Sequence, residues 1–201
     1  MNNLGILLAY KEKKRKKNRV LAFTITSRGI NRSLRFMQSL EKSGYVWHLF
    51  LLLSHYCPRS PYLIERIRNG VCSYGLEFYT RALPCLSEIY ELFYPKGAVL
   101  KEKIIPSNIY ELLTPIALAH VIMGDGSARD SGLTLCTDCY TINDVVKLMN
   151  VLIIRYGINS TLQQKRDNQY RIYIRSSSMP LLRSIVTPHM HSSMLYKLGK
   201  V

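Results

Sequence analysis

Acidic residues are scarce in this chain of 201 residues, which contains 13 Asp and Glu against 28 Lys and Arg and carries a formal net charge of +15. A small globular protein with so large an excess of positive charge repels itself, so an anionic partner is expected. Nucleic acid is the first candidate partner, and an acidic membrane surface is the second. A soluble basic protein without such a partner is the third alternative.

Long apolar runs are also missing. No stretch reaches the length of about 18 apolar residues that a membrane-spanning helix needs, and the longest apolar segment, near Val46 to Leu53, is interrupted by His48. The N-terminus is first apolar and then basic, which is the reverse of the order in a secretory signal peptide. The predicted helices carry few basic residues, whereas a helix that binds a membrane surface has a lysine-rich polar face. We therefore expect no membrane partner.

Cysteine is sparse, with five residues of which only Cys136 and Cys139 form a C-x-x-C pair. A zinc site would need a second pair or two suitably spaced histidines, and His189 and His191 lie far downstream and only two residues apart. Cys136 also follows an alternating, strand-like pattern. We interpret the thiols as packing residues in a reducing compartment, with metal ligation as the alternative.

An internal repeat with an offset of about 93–100 residues organises the chain. Apolar helix positions recur at an offset of 99, and a dipeptide ending in proline recurs at an offset of 96. The matches include Val46, Leu49 and Leu53 with Val145, Leu148 and Leu152, and Leu83-Pro84 with Met179-Pro180. Because the matched elements keep the same order with only a loop-sized drift, we interpret the chain as a duplication.

Each half is predicted to alternate strands and helices. In the second half, apolar residues with a period of 3.6 predict a helix over 142–156, and alternating patterns predict strands over 160–165 and 170–175. A further helix is expected to begin near Met179. In the first half, a strand around Leu34 precedes the equivalent helix. Strands with one polar face are typical of antiparallel sheets, so the expected fold class is α+β.

The sequence Gly124-Asp125-Gly126 ends a predicted apolar helix that begins at Pro115. Small residues at every third or fourth position of this helix would let it pack closely on a partner helix, which would bring Asp125 near the equivalent group of that helix. Two carboxylates brought together repel each other unless a divalent cation lies between them. Mg²⁺ prefers such oxygen ligands and can activate water. The alternative is an ordinary Asp-Gly turn after a core helix.

Polar and basic side chains are expected on the outer faces of the strands, opposite the apolar residues Leu34, Phe36, Leu133, Leu135, Leu162, Ile172 and Ile174. Arg, Lys, Gln and Thr on such strands can reach phosphates and the base edges of the major groove. The alternative is the polar face of any exposed sheet. The outward residues are Ser33, Arg35, Met37, Thr134, Thr161, Gln163, Lys165, Arg171, Tyr173 and Arg175.

Two lysines, Lys103 and Lys197, occupy similar places near the ends of the two halves. A lysine near a scissile phosphate can position water or stabilise developing charge. A solvated surface lysine is the alternative, and only the repeat favours the functional interpretation.

Several ordered segments resemble the LAGLIDADG family of intron-encoded homing endonucleases. "LTPIALAHVIMGDGS", at residues 113–127, is similar to the second signature helix of the family, and "LTLCTDCYT", "IYIRSSSMPLL" and "MLYKLG" are similar to its second repeat. "LRFMQSLEKSGYVWHLF" and "KIIPSNIYELLTP" resemble the first repeat and the joint between the repeats. The resemblance implies two pseudo-symmetric αββαββα repeats, at residues 1–96 and 114–201 with a linker at 97–113, whose sheets form a DNA saddle in a monomer.

The resemblance further implies a site-specific endonuclease that cleaves double-stranded DNA with Mg²⁺ in intron homing and is encoded in an organelle, the mitochondrion before the chloroplast. By position, Asp125 corresponds to the metal ligand, with Gly124 beside it, and Lys103 and Lys197 correspond to the basic active-site residues. Gln38 is a further candidate, for organising water. The alternative is a maturase-like protein that binds its own intron RNA, because a basic surface serves either nucleic acid.

The first signature helix departs from the family pattern. Tyr10 stands where an ungapped alignment puts the first acid, and a two-residue deletion removes the Gly-Asp pair altogether. Glu12 would substitute only if the backbone shifted. Because the shared metal would then lose one carboxylate, we hypothesise that the chain binds DNA but cleaves weakly, nicks one strand or does not cleave.

Overall fold

The computed structural model describes residues 22–28, 31–68, 70–95 and 103–199. The described residues divide into two compact units, which we call the first unit (described residues up to Tyr90) and the second unit (described residues from Glu91). The first signature segment, with Tyr10 and Glu12, lies outside the described residues, as does the beginning of the predicted linker.

The first unit is an antiparallel sheet with a helix on one face. Its strands are β1 (Ala22–Arg28), β2 (Asn31–Ser39), β3 (Tyr62–Arg68) and β4 (Val71–Tyr79), in the spatial order β1-β2-β4-β3. Helix α1 (Ser43–Leu53) follows β2, and helix α2 (Pro84–Phe93) follows β4. All pairings are antiparallel, as the alternating sequence patterns predict.

Aromatic packing holds α1 on this sheet. Phe36 of β2 and Phe78 of β4 are opposite each other in the ladder, with ring centroids 5.8 Å apart. Tyr45 of α1 meets the Phe36 ring edge-on, at 5.7 Å. All three side chains are buried, and each stabilises the fold by about 1.5–3 kcal/mol through removal of its apolar surface from water.

The second unit contains the same kind of sheet with more helices. Helices α3 (Ile109–Leu112) and α4 (Pro115–Asp125) are followed by β5 (Gly126–Ala128), β6 (Leu133–Leu135), α5 (Ile142–Tyr156), β7 (Ser160–Arg166), β8 (Gln169–Ile174) and α6 (Met179–Val186). The strand order is β5-β6-β8-β7, again antiparallel throughout. The α+β class is therefore confirmed, and the matching strand orders fit the repeat seen in the sequence.

Local signals in the sequence set the ends of α5. Thr141 is its N-cap, and its Oγ1 accepts a hydrogen bond from the N–H of Asp144 at 3.3 Å. Gly157 ends the helix with φ of 66°, a left-handed conformation that favours glycine. The predicted bounds of this helix and the turn at Asp167-Asn168 between β7 and β8 are confirmed.

Helix α4 is buried on all sides. The Oγ1 of Thr114 accepts from the N–H of Ala117 at 3.2 Å, and Pro115 occupies the first turn. Residues 117–123 are all buried, which explains an apolar sequence without a polar face. Gly126 follows the helix because a Cβ there would lie 2.6 Å from the carbonyl oxygen of Ile122. This packing holds the end of the helix, and Asp125 with it, in a fixed place.

Among the described helices, none combines the length and the apolar character that crossing a membrane requires.

Candidate active site and nucleic-acid face

Asp125 is the last residue of α4, at the point where the chain enters β5. Its main-chain carbonyl accepts a hydrogen bond from the N–H of Cys136 at 3.0 Å, which ties the end of the helix to the segment after β6. The residue is half-buried. Its carboxylate is thus carried by a rigid backbone and retains access to solvent.

A small cavity of about 20 Å³ lies beside Asp125. Its polar lining consists of Asp125, Cys136, Thr137 and Tyr140, and the rest of the wall is apolar. A space of this volume holds about one water molecule. Its wall is largely apolar, so the cavity marks a small space beside Asp125 and not a built water site.

The oxygen atoms suited to a metal at this end of α4 are the carboxylate of Asp125 and the carbonyl of Gly124. Both are hard donors of the kind that Mg²⁺ binds, and Mg²⁺ commonly keeps several waters and substrate phosphates as further ligands. The described residues contain no group of three or more His, Cys, Asp or Glu side chains that could hold a metal. Any ion here would thus depend on ligands beyond these two.

Lys197 lies directly beside this site. It belongs to a 3₁₀ helix at Ser192–Leu198, it is buried, and its Nζ donates a hydrogen bond to the Gly124 carbonyl at 3.1 Å. A carbonyl oxygen has two lone pairs, so this bond leaves one for a second partner. Lys197 therefore lies next to Asp125, the acid that the sequence predicted would act together with it.

Lys103 is buried as well, and it reaches the same region through an aromatic residue. Its Nζ lies 4.9 Å from the centroid of the Tyr140 ring and 5.5 Å from that of the Phe93 ring. Tyr140 in turn lines the cavity with Asp125. Both lysines were expected near a scissile phosphate, and both belong to the second unit together with Asp125.

Tyr140 was not predicted from the sequence as a site residue. Burial, followed by the neighbouring Cys139 and Asp125, raises the pKa of its phenol well above the ordinary value. The phenol therefore stays protonated and neutral at physiological pH. A lone tyrosine before a helix cap carries no recognisable signal, and only its position between Lys103 and Asp125 makes it notable.

Gln38, the weaker candidate for organising water, lies on β2 of the first unit. It is buried, and its Oε1 accepts a hydrogen bond from the N–H of Ser39 at 3.2 Å. Gln38 belongs to the first unit and Asp125 to the second, so a role for Gln38 near Asp125 stays a prediction.

The strand register of the second unit puts the predicted contact residues on one face. Tyr173 of β8 is opposite both Thr134 of β6 and Thr161 of β7, and Arg171 is opposite Gln163. Directly paired residues in an antiparallel ladder point to the same side. On this face Gln163 is exposed and Tyr173 is half-buried, so it offers polar groups to a ligand. Lys165, at a register shift in β7, and Arg175, one residue after β8, are exposed but lie outside the paired register.

Two residues expected to face solvent in this unit are buried, so that expectation is wrong for them. Thr134 accepts a hydrogen bond from the Nε of Arg129 at 3.2 Å. Arg171 donates to both carboxylate oxygens of Asp138, from Nε at 2.7 Å and from Nη2 at 2.8 Å. Hydrogen bonding to Asp138 raises the pKa of the Arg171 guanidinium.

The loop that carries Asp138 explains the burial of Arg171. Thr137, the residue before Asp138, donates a hydrogen bond from Oγ1 to the carbonyl of Tyr170 at 2.6 Å. This bond anchors the loop to β8 one residue before Arg171. A single acid in a loop gives no pattern in the sequence, so this ion pair was not foreseen.

Leu162 differs in the opposite sense. It was expected to pack inward, and it lies on the same side of the sheet as the buried Ile172, its ladder partner. However, it is 36% exposed. The hairpin therefore presents part of its apolar side to solvent.

The outer face of the first unit is organised around Glu77. Arg35 forms an ion pair with its carboxylate at 2.6 Å, and the hydroxyl of Tyr62 donates to the same carboxylate. The guanidinium of Arg59 lies 3.9 Å from the centroid of the Tyr62 ring. Arg35 keeps 46% of its side chain exposed, so it remains available to a ligand despite its acidic partner.

Ser33 and Met37 flank Arg35 on the same side of β2 and were expected outside, but both are buried. The reason is that β2 is an interior strand, with β1 paired on one edge and β4 on the other. Neighbours cover the two shorter side chains on this interior strand, whereas the long side chain of Arg35 reaches past them and stays exposed, and a period-2 pattern does not reveal this difference.

Comparisons with known proteins agree with this architecture. Residues 11–182 match the LAGLIDADG DNA endonuclease family. The "Cytochrome b mRNA maturase bI2" of Debaryomyces hansenii is 35% identical over 169 residues, which cover 82% of this chain and 63% of that protein. The "Intron-encoded endonuclease ai4" of Dictyostelium discoideum is 37% identical over 124 residues, which cover 61% of this chain and 76% of that protein. The chain thus spans less than two thirds of the length of the maturase.

The fold also matches a solved structure of "the homing endonuclease I-WcaI bound to its DNA recognition sequence". The TM-score is 0.80 at 21% sequence identity, over 98% of this chain and 84% of that one. A match at this identity establishes the fold, and the sequence profile that covers most of the chain establishes the family. This chain belongs to the LAGLIDADG DNA endonuclease family.

Proposed function

We propose that this protein is a metal-dependent endonuclease that binds a double-stranded DNA site and nicks one strand. The observation that carries the proposal is the grouping of Asp125, Lys197 and Lys103 in the second unit, where Lys197 bonds to Gly124 and Lys103 reaches Tyr140 beside the Asp125 cavity. Asp125 and the Gly124 carbonyl are the groups that would hold Mg²⁺.

Each residue has a distinct part in phosphodiester hydrolysis. Bound Mg²⁺ would lower the pKa of water and stabilise the leaving oxygen. Asp125 supplies the negative charge that binds a cation at the end of a fixed helix. Lys197, one residue away through the Gly124 carbonyl, provides positive charge for the phosphate oxygens. Lys103 provides a second ammonium on the Tyr140 side of the cavity.

Nicking rather than double-strand cleavage follows from the first repeat. Tyr10 stands at the expected position of the first acid, so the first repeat does not supply the partner carboxylate in an ungapped alignment. A single acid with its two neighbouring lysines, acting on one strand, is consistent with this loss. Weak double-strand cleavage is the variant of the proposal that would require a substitute acid.

DNA binding is supported by the charge and by the outer faces of the sheets. The net charge of +15 favours the phosphate backbone, and Arg35, Gln163, Lys165, Tyr173 and Arg175 are at least partly accessible. Phosphate contacts would position the chain, and contacts to base edges would give it sequence preference. We further propose that it acts as a monomer, since one chain contains both repeats.

A second candidate function is assistance in the splicing of its own intron RNA. It is favoured by the D. hansenii relative, which is named a cytochrome b mRNA maturase. That name also favours a mitochondrial gene. Positive charge attracts RNA and DNA alike, so the two functions are separated by the structure of the preferred ligand and by the metal-dependent reaction.

The test is a supercoiled plasmid that carries the joined sequences flanking the intron of this gene, incubated with and without Mg²⁺. We expect Mg²⁺-dependent open-circle product from the wild-type protein and none from Asp125→Asn. Asp130→Asn is the matched control, because Asp130 is an exposed acid five residues away and should leave nicking unchanged.

The other outcomes of the plasmid assay would each contradict one part of the proposal. Linear DNA would contradict nicking and indicate a second acid in the first repeat. A gel shift without any cleavage would contradict the endonuclease and turn attention to a gel shift with the intron RNA. Equal nicking by Asp125→Asn would overturn the metal-binding role of Asp125.

A further inference from the structure

The ammonium of Lys103 lies between two aromatic rings. Its distances to the ring centroids of Tyr140 and Phe93 are 4.9 and 5.5 Å, and a ring face attracts a cation within about 6 Å. Lys103 is only 4% exposed, so the ammonium has lost most of its water. Because burial disfavours a charged ammonium, the two rings replace part of the lost solvation.

Both rings are set on ordered backbone. The N–H of Ile104 donates to the carbonyl of Phe93 at 2.9 Å, which fixes the residue after Lys103 against one ring. The N–H of Tyr140 donates to the carbonyl of Thr137 at 3.0 Å, and the cap of α5 follows immediately. The backbone that carries the two rings and the residue after Lys103 is thus fixed by hydrogen bonds.

Tyr140 faces two groups at once. Its ring lies under the Lys103 ammonium, and its side chain also lines the cavity beside Asp125. Lys197 is held differently, by the carbonyl of Gly124. Lys197 thus has a hydrogen bond to the main chain, and Lys103 has aromatic rings among its neighbours.

We propose that Tyr140 is a positioning residue that, with Phe93, holds the Lys103 ammonium beside the cavity at Asp125. The inference rests on the proposed nuclease function for its consequence in catalysis. The arrangement of the two rings and the ammonium is independent of that function, so the two can be tested separately. The group to which the proposal assigns this role is the face of the ring, since the cation lies over it.

The first experiment measures the reactivity of Lys103 in the folded protein without DNA or metal. An amine-reactive reagent modifies accessible lysines, and mass spectrometry gives the rate for each one. Lys147, whose side chain is 48% exposed, serves as an internal reference. In Tyr140→Phe the ring face is kept, and Lys103 should stay as protected as in wild type. In Tyr140→Met much of the volume is kept without a ring face, and modification of Lys103 should accelerate by about tenfold.

The second experiment measures nicking in single turnover together with DNA affinity. Tyr140→Met should lower the rate by about tenfold and change Kd by less than about twofold, while Tyr140→Phe should resemble wild type. Tyr110→Leu is the matched control, because Tyr110 also lies under a cation, Arg155 at 5.4 Å, at another place in the second unit. It should alter neither Lys103 modification nor nicking.

Equal modification of Lys103 in wild type and Tyr140→Met overturns the proposal, as does equal loss of nicking in Tyr140→Phe and Tyr140→Met. If Tyr140→Met does not fold, Phe93→Leu removes the other ring and should accelerate Lys103 modification by a smaller factor, and no acceleration there is again a refutation. A wild-type protein that does not nick its DNA contradicts the proposed function alone, and the modification rates still decide whether the rings hold the ammonium.

Discussion

The two units share a sheet topology, and each ties one outer-face arginine to one carboxylate, yet the two ion pairs differ in exposure. Arg35 pairs with Glu77 in the first unit and keeps 46% of its side chain exposed. Arg171 pairs with Asp138 in the second unit and keeps 10%. Arg35 is therefore a candidate contact to nucleic acid, whereas Arg171 forms a structural ion pair inside the second unit.

The acids come from different elements, and this causes the difference. Glu77 is a strand residue, at the position of β4 that is paired with Tyr62 of β3. Its carboxylate lies within the sheet face and leaves the far side of Arg35 open. Asp138 comes from a loop that Thr137 anchors on β8, so the loop covers the guanidinium it binds. The same chemical pair is thus open or closed depending on the element that supplies the carboxylate.

The largest expected effect concerns the catalytic difference between the repeats. Asp125→Asn should lower the nicking rate by about 1,000-fold or more with Kd nearly unchanged, since a metal ligand that acts on the transition state is lost. Glu12→Gln, the corresponding change near the first signature segment, should leave the rate within about twofold. Single-turnover nicking and gel shifts measure both. A large loss in Glu12→Gln would mean that the first repeat contributes an acid and that the repeats are catalytically equivalent.

The second prediction compares how much the two ion pairs contribute to the free energy of unfolding. Asp138→Ala leaves the nearly buried Arg171 guanidinium without this partner, and we expect a loss of about 2–3 kcal/mol in the free energy of unfolding. Glu77→Ala frees an arginine that water already reaches, and the loss should be about 1 kcal/mol or less because solvent screens that pair. Urea unfolding of both variants gives the comparison. Equal losses would show that the exposure of the arginine does not determine how much its ion pair stabilises the fold.

The sequence predicts the helices and strands far better than it predicts the ion pairs and other side-chain contacts between them. Thr141 and Gly157 mark the ends of α5, and the alternation around Ile172 gives β8, because caps and periodicity are local properties of the chain. Asp125 was singled out by its place at the end of an apolar helix and Lys197 by the repeat, and the family resemblance gave both their expected roles. Their closeness through the Gly124 carbonyl depends on a contact across 73 residues. Asp138 and Tyr140 had no such signal, since their roles arise only where a loop meets a strand or a lysine from elsewhere in the chain.

The third prediction distinguishes an arginine that contacts DNA from one that only stabilises the fold. Arg175 is exposed, and Arg175→Ala should weaken binding by about tenfold. Arg171→Ala should change the affinity by less than about twofold at temperatures where the variant is folded, because its guanidinium is already bound to Asp138. Titrations against several DNA sequences complete the test. A loss for Arg175→Ala at one base position indicates base readout, and a uniform loss indicates phosphate contact. A tenfold loss for Arg171→Ala would show that DNA opens the ion pair.

The smallest effect compares buried phenols of the two units at alkaline pH. Burial raises the pKa of Tyr45 in the first unit and of Tyr140 in the second above the ordinary value near 10. Each phenol is then held protonated in the folded chain but ionises at its ordinary pKa in the unfolded chain. Its contribution to stability is complete only well below the unfolded pKa of about 10 and falls as the pH rises toward the pKa of the folded state, with a loss of about 0.8 kcal/mol at pH 10.5 for each residue. Melting temperatures between pH 9 and 10.5 should therefore fall less steeply in Tyr45→Phe and in Tyr140→Phe than in wild type. If only one variant shows a smaller fall of melting temperature with pH, the two units differ in how strongly burial raises the pKa of the phenol. If neither variant does, these two tyrosines do not govern unfolding at alkaline pH.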